Sequence, residues 1–129
     1  MPVTISDPDI GNLGETLQSL ANQINAKPIT LLSANGALDN HNSNTYVVTK
    51  ASIAALTLAA PTAGADDGKE ITVTSSTAFA HTLTATGLLA TGSASVNAAT
   101  FAAFAGAGLR LIAYNGKWNV LSSVGVTFS

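Results

Sequence analysis

The stretch Leu109–Ser123 reads LRLIAYNGKWNVLSS. Leu109, Leu111 and Ala113 alternate with Arg110, Ile112 and Tyr114, so one side of the run is apolar and small. Asn115-Gly116 follows, and then Trp118 and Val120 repeat the alternation on the way back. A two-residue hairpin turn needs φ > 0 at both central positions, and Asn-Gly is the pair that reaches this most easily. The stretch therefore predicts a β-hairpin, with Trp118 closing a core and Tyr114 at its edge. If both rings were instead exposed, they would form a stacking surface for a sugar.

Outward from the hairpin the same period of two recurs. PITLLS, NTYVVTK, ALTLAA, KEITVTSS and HTLTATG, starting at Pro28, Asn44, Ala55, Lys69 and His81, are strand-length runs. In EITVTS, Ile71 and Val73 fall on one face and Thr72 and Thr74 on the other, the mark of a half-buried strand. Between the runs lie a polar loop (ANGALDNHNSN), a Pro/Gly/Asp connection (APTAGADDG) and a small-residue turn (TGSAS). FAGAGL reads as a bend or a site of close packing, and VGVTFS as a last strand or an exchanged tail. Many short strands at regular spacing predict a sandwich or barrel over residues 29–129.

Residues 1–28 read differently. After an extended PVTISDP, Asn12 and Glu15 form a capping-box-like pair. Ile10, Leu13, Leu17, Leu20 and Ile24 then recur at three- and four-residue spacing. This predicts a short amphipathic helix with a narrow apolar stripe, ended by Pro28. So short a helix is marginal alone. Its stripe is the candidate assembly interface, packed on its own β domain, on copies of itself or on a neighbouring protein.

Composition narrows the functions available. Ala fills 23 of the 129 positions, charged residues are 9%, and no Asp, Glu, Lys or Arg occurs from Ile71 to Leu109. A surface this poor in charge is solvated by hydroxyls and amides or is covered by other copies or a larger assembly. Net charge is −2, with five basic residues scattered along the chain, which argues against nucleic-acid binding through displaced counterions. No run approaches the roughly 20 apolar residues of a spanning helix, so no membrane role is expected. There is no Cys, which removes disulfides and thiolate metal sites. The N-terminus lacks the basic and apolar regions of a secretory signal.

Catalytic signatures are missing too. No Gly-x-Ser-x-Gly elbow, P-loop or Gly-x-Gly-x-x-Gly occurs. His41 sits in an Asn-rich loop and reads as solvated; His81 opens a strand and reads as structural or as an interface hydrogen-bonder. Two histidines supply too few ligands for zinc unless symmetry gathers copies. Asp66-Asp67-Gly68 reads as a turn rather than as a calcium loop. The sequence predicts no enzyme and no cofactor.

The run ALTLAAPTAGADDGKEITVTSSTAFAHTLTATG, followed by LIAYNGKWNVLSS, resembles a module of bacteriophage virion structural proteins, over roughly residues 45–124. The shared pattern is an aliphatic strand, a connection ending in Asp-Gly-Lys, a Thr-rich strand pair and a closing NGKW hairpin. Similar modules occur in capsid decoration (cement) proteins, head fibres and tail-fibre domains. A chain of 129 residues with one arm and one β domain is most similar to the decoration proteins. That resemblance implies a homotrimer on the outer capsid surface of the virion, assembled in the bacterial cytoplasm and bridging major capsid proteins. The alternative it implies is a receptor- or glycan-binding knob of a small fibre, with Tyr114 and Trp118 as glycan contacts. The expected architecture is all-β, a small β-sandwich or barrel of jelly-roll or β-tulip kind, with a short N-terminal helical arm.

Overall fold

The computed structural model describes residues 28–92 and 94–129. The helix expected between the Asn12 cap and Pro28, with its stripe from Ile10 to Ile24, lies outside the described residues. The rest is all-β: β1 (Thr30–Leu32), β2 (Gly36–Ala37), β3 (Asn44–Val48), β4 (Ala55–Thr57), β5 (Glu70–Ser75), β6 (Thr82–Thr91), β7 (Ala94–Phe101), β8 (Gly108–Tyr114), β9 (Lys117–Val124) and β10 (Val126–Phe128). One sheet curls into an open half-barrel in the order β1-β3-β5-β8-β9-β6-β4-β2, and β7 pairs both β6 and β10.

The path is a coil. β1, β3 and β5 lie side by side and parallel, and so do β2, β4 and β6. The chain thus alternates between two walls, and each parallel crossover is a strand of the opposite wall rather than a helix. Five of the nine pairings are parallel. That corrects the jelly-roll expectation, because jelly rolls are built from antiparallel Greek keys. Alternation alone could not tell the two apart, since it fixes which face is buried and not which strand is the neighbour.

The closing hairpin has the expected turn. Asn115 is at φ 51° and Gly116 at φ 76°. β8 runs antiparallel to both β5 and β9. The inward residues Ile71, Val73, Leu109, Leu111, Ala113 and Trp118 face Leu56, Leu83, Ala85, Leu89 and Phe101 in one core. β6 changes partner along its length: Thr82–Thr84 pair with β4, and Leu89 and Ala90 pair with β9. The register shift between Thr84 and Leu89 spans Gly87, at φ 69°. Lys117 Nζ donates to Gly87 O there, at 2.8 Å. β10 closes the chain onto β7, so the VTF of VGVTFS is a last strand, with Gly125 as the bend between β9 and β10.

Two elements depart from the sequence reading. The polar loop Ala34–Asn44 contains the two-residue β2, and the small-residue run after Gly92 continues as the full strand β7. Neither carries β-branched residues in sufficient number to announce itself.

Candidate functional site

The strand directions give the molecule two distinct ends. One holds the Asn115-Gly116 turn and the starts of β3 and β5. The other holds the ends of β3, β5, β7 and β9.

The hairpin end collects the charge. Asp39, Asp66, Asp67, Lys69, Glu70 and Lys117 all sit in or beside its turns, and Arg110 reaches it through a 2.7 Å bond to Glu70. Its acids organise loops. Asp67 Oδ1 accepts from Gly64 N–H at 3.1 Å and Asn115 N–H at 2.9 Å. Asp39 accepts from His41 N–H and the Asn42 amide. Asp66 is buried; Thr62 N–H and His41 Nδ1 both lie 2.7 Å from its Oδ2. The Thr62 bond, then His41, hold the Asp66 carboxyl below the usual carboxylate range. His41 is therefore a loop partner of Asp66 and not simply solvated. Among the described residues, no group of three or more His, Asp or Glu is placed to hold a metal ion.

The opposite end is nearly free of charge. Loops 49–54, 76–81 and 102–107 meet there and are tied by backbone bonds: Ser76 N–H to Val48 O, Phe101 N–H to His81 O, Ala102 N–H to Gly125 O, and Gly106 N–H to Ser75 O. Lys50 is its one cation among the described residues. Its ammonium folds back onto Asn35 Oδ1 at 2.9 Å and Ile53 O at 3.1 Å. Ile53, Phe79, Phe104 and Val124 are 54%, 37%, 44% and 60% exposed on this end. Ala78, Ala102, Ala103 and Ala105 are exposed with them. The Phe104 ring lies so close over Gly125 that a Cβ there would sit 2.3 Å from it. Gly108, beside it, lets β8 approach β5: a Cβ would fall 2.2 Å from Val73 O.

Beneath this surface His81 is fully buried. Its Nδ1 accepts the Ala54 N–H at 3.0 Å, which fixes the proton on Nε2. Nε2–H then donates to Thr77 Oγ1 at 2.9 Å, and Thr77 Oγ1–H donates to Lys50 O at 2.9 Å. The rings of Phe79 and Phe101 meet the imidazole edge-on.

The residues singled out by sequence divide three ways. Ile10, Leu13, Leu17, Leu20 and Ile24 lie outside the described residues. Tyr114 is 64% exposed at the hairpin end. Trp118 is fully buried, and its indole N–H donates to Ala59 O at 2.9 Å. It has no open face for a sugar, so it and Tyr114 do not form a stacking pair. The starts of β3 and β5 flank a shallow cavity of about 330 Å³ whose walls include Ser43, Asn44, Thr45, Glu70 and Thr72, and Tyr114 is not among its lining residues. Ile53, Phe79, Phe104 and Val124 were invisible as a set in the sequence, because loop closure and not spacing brings them together. No protein-family model matches the chain, and no curated protein matches it.

Proposed function

We propose that this chain is a bacteriophage capsid decoration protein. As a homotrimer on the outer surface of the virion, it binds neighbouring major capsid proteins and bridges them, so that the shell resists opening. The observation that carries the reading is the segregation of charge among the described residues: seven charged side chains gather at the hairpin end, while Ile53, Phe79 and Phe104 stand on an end where Lys50 is the one charged residue described, its ammonium bonded to Asn35 Oδ1 and Ile53 O. An apolar end with a single cation can be buried against a protein with less ionic desolvation than the hairpin end, and that desolvation is the costly term when charged surfaces are covered. The charged end suits the solvent side. The chemistry is mechanical, with no turnover and no cofactor. Residues 1–28, with the stripe Ile10, Leu13, Leu17, Leu20 and Ile24, serve as the assembly arm in this reading.

The test is co-sedimentation with undecorated capsids. Phe79→Asp with Phe104→Asp abolishes saturable binding, while Lys117→Asp at the other end leaves it intact. Wild-type binding retained by the double variant, with its fold verified by circular dichroism, contradicts the docking face.

A glycan-binding knob is the second reading, favoured by the exposed ring of Tyr114 beside the hairpin turn. Loss of a saturable sugar affinity in Tyr114→Ala supports it.

A further inference from the structure

One titratable ring is among the groups that tie loop 49–54 to loop 76–81 at the end opposite the hairpin turn. His81 connects the loop that carries Ile53 to the loop that carries Phe79: it accepts from Ala54 N–H on the first and, through Thr77 Oγ1, reaches Lys50 O on the first again. His81 O also takes Phe101 N–H at the end of β7. The Ala54 bond requires an unprotonated Nδ1, whereas Nε2–H donates to Thr77 Oγ1 in either charge state. A second proton at Nδ1 sets an N–H against the Ala54 N–H, two donors at 3.0 Å with no acceptor between them. The burial and the two flanking phenylalanine rings offer the new cation no water and no carboxylate. On the segments packed against the ring, 49–55, 76–82 and 100–102, Lys50 is the only charged side chain, and it repels a protonated imidazole. Protonation therefore costs the ring its bond to Ala54.

We propose that His81 is an acid-release pin: taking up a proton, it lets go of the Ala54 N–H and loosens the Ile53–Ala54 turn, while Thr77 Oγ1 to Lys50 O, Ser76 N–H to Val48 O and Thr82 N–H to Ala54 O still hold residues 48–54 to residues 76–82. The opening is local, because β5, β8 and β9 are paired independently of this ring. This inference rests on the docking reading only for its consequence, which is release of the protein from its shell in acid and rebinding on neutralisation.

Two measurements separate the two ideas. The first uses the isolated wild-type protein: amide hydrogen exchange by NMR from about pH 7 to about pH 4.5, the range in which a histidine takes up its proton. The protection factor of the Ala54 amide is expected to fall at least about tenfold, while the amides of Leu111 and Val73 keep theirs. Protection at Ala54 that persists until those core amides also lose theirs overturns the pin. The second is capsid co-sedimentation over the same range with wild type and His81→Asn. Asn offers an oxygen near the position of Nδ1 and does not titrate, so its binding is expected to be independent of pH while the wild type is released. Equal release of both proteins in acid also overturns the pin. Should neither protein bind capsids at any pH, the docking reading fails, and the Ala54 exchange still decides the pin.

Discussion

Replacing Trp118 by Ala removes the largest fully buried side chain of the core. The indole lies on β9 beside Leu89 of β6, at the place where the two walls are joined, and its N–H donates to Ala59 O beyond β4. Phe/Trp→Ala changes in cores cost about 3–5 kcal/mol through lost contacts and the remaining cavity. Loss of the indole bond to Ala59 O works in the same direction, at about 0.5–1.5 kcal/mol for an ordinary hydrogen bond, because Ala59 is exposed and water can reach its carbonyl. For a domain of this size each kcal/mol moves Tm by about 4–8 °C, so a fall of at least about 12 °C is expected. Trp118→Phe separates the two contributions: it keeps most of the apolar volume and loses the bond, whose loss is expected to cost about 0.5–1.5 kcal/mol. Urea denaturation followed by far-UV circular dichroism measures both. An unchanged midpoint in Trp118→Ala would refute the joining role of the ring and place it on the surface.

Other outcomes follow from the same packing. Gly108→Ala drives a Cβ into the backbone of Val73 and Thr74 and is expected to destabilise by about 3 kcal/mol, read by the same denaturation; a neutral result would mean that β5 and β8 can part at no cost. Burial, reinforced by Lys50 and opposed by hydrogen bonding at Thr77, lowers the His81 pKa below 6.5. The unfolded chain then binds the proton first, so stability is fully present above about pH 6.5 and declines as pH falls toward the folded-state value, a slope that His81→Asn removes. Asp66 adds a second acid-sensitive contribution, present above its ordinary pKa of 3.8 and lost as pH falls through its lowered folded value; Asp66→Asn flattens that part of the curve. Deletion of residues 1–28 is expected to leave the β domain folded and to abolish capsid attachment, and a truncated chain that still saturates capsids contradicts the role of the arm.

The elements were legible where local chemistry is decisive. Asn115-Gly116 specifies its turn because few other pairs reach two positive φ values, and Ile71/Val73 against Thr72/Thr74 specifies which face of β5 is buried. The burial of Trp118 followed from its place on the returning strand. The coil was not legible, because pairing β3 with β5 rather than with β4 depends on contacts between residues 27 positions apart, such as Tyr46 with Val73. The neutral end was half visible. The charge-free run from Ile71 to Leu109 marked an unusual surface, and it does supply Phe79, Phe104 and four of the exposed alanines. Ile53 and Val124 come from outside the run, and only the closure of three loops puts them beside it. His41 with Asp66 and His81 with Ala54 are likewise contacts across 25 and 27 positions, for which a sequence carries no spacing rule.

The central claim is that this end of the molecule docks on a capsid. Purified protein mixed with undecorated phage capsids, sedimented together and quantified against input, with its solution mass measured in parallel, addresses it most directly. Saturable binding by a trimer, lost in the Phe79→Asp, Phe104→Asp variant, is the predicted result. A well-folded wild-type protein that stays in the supernatant at every concentration would contradict it.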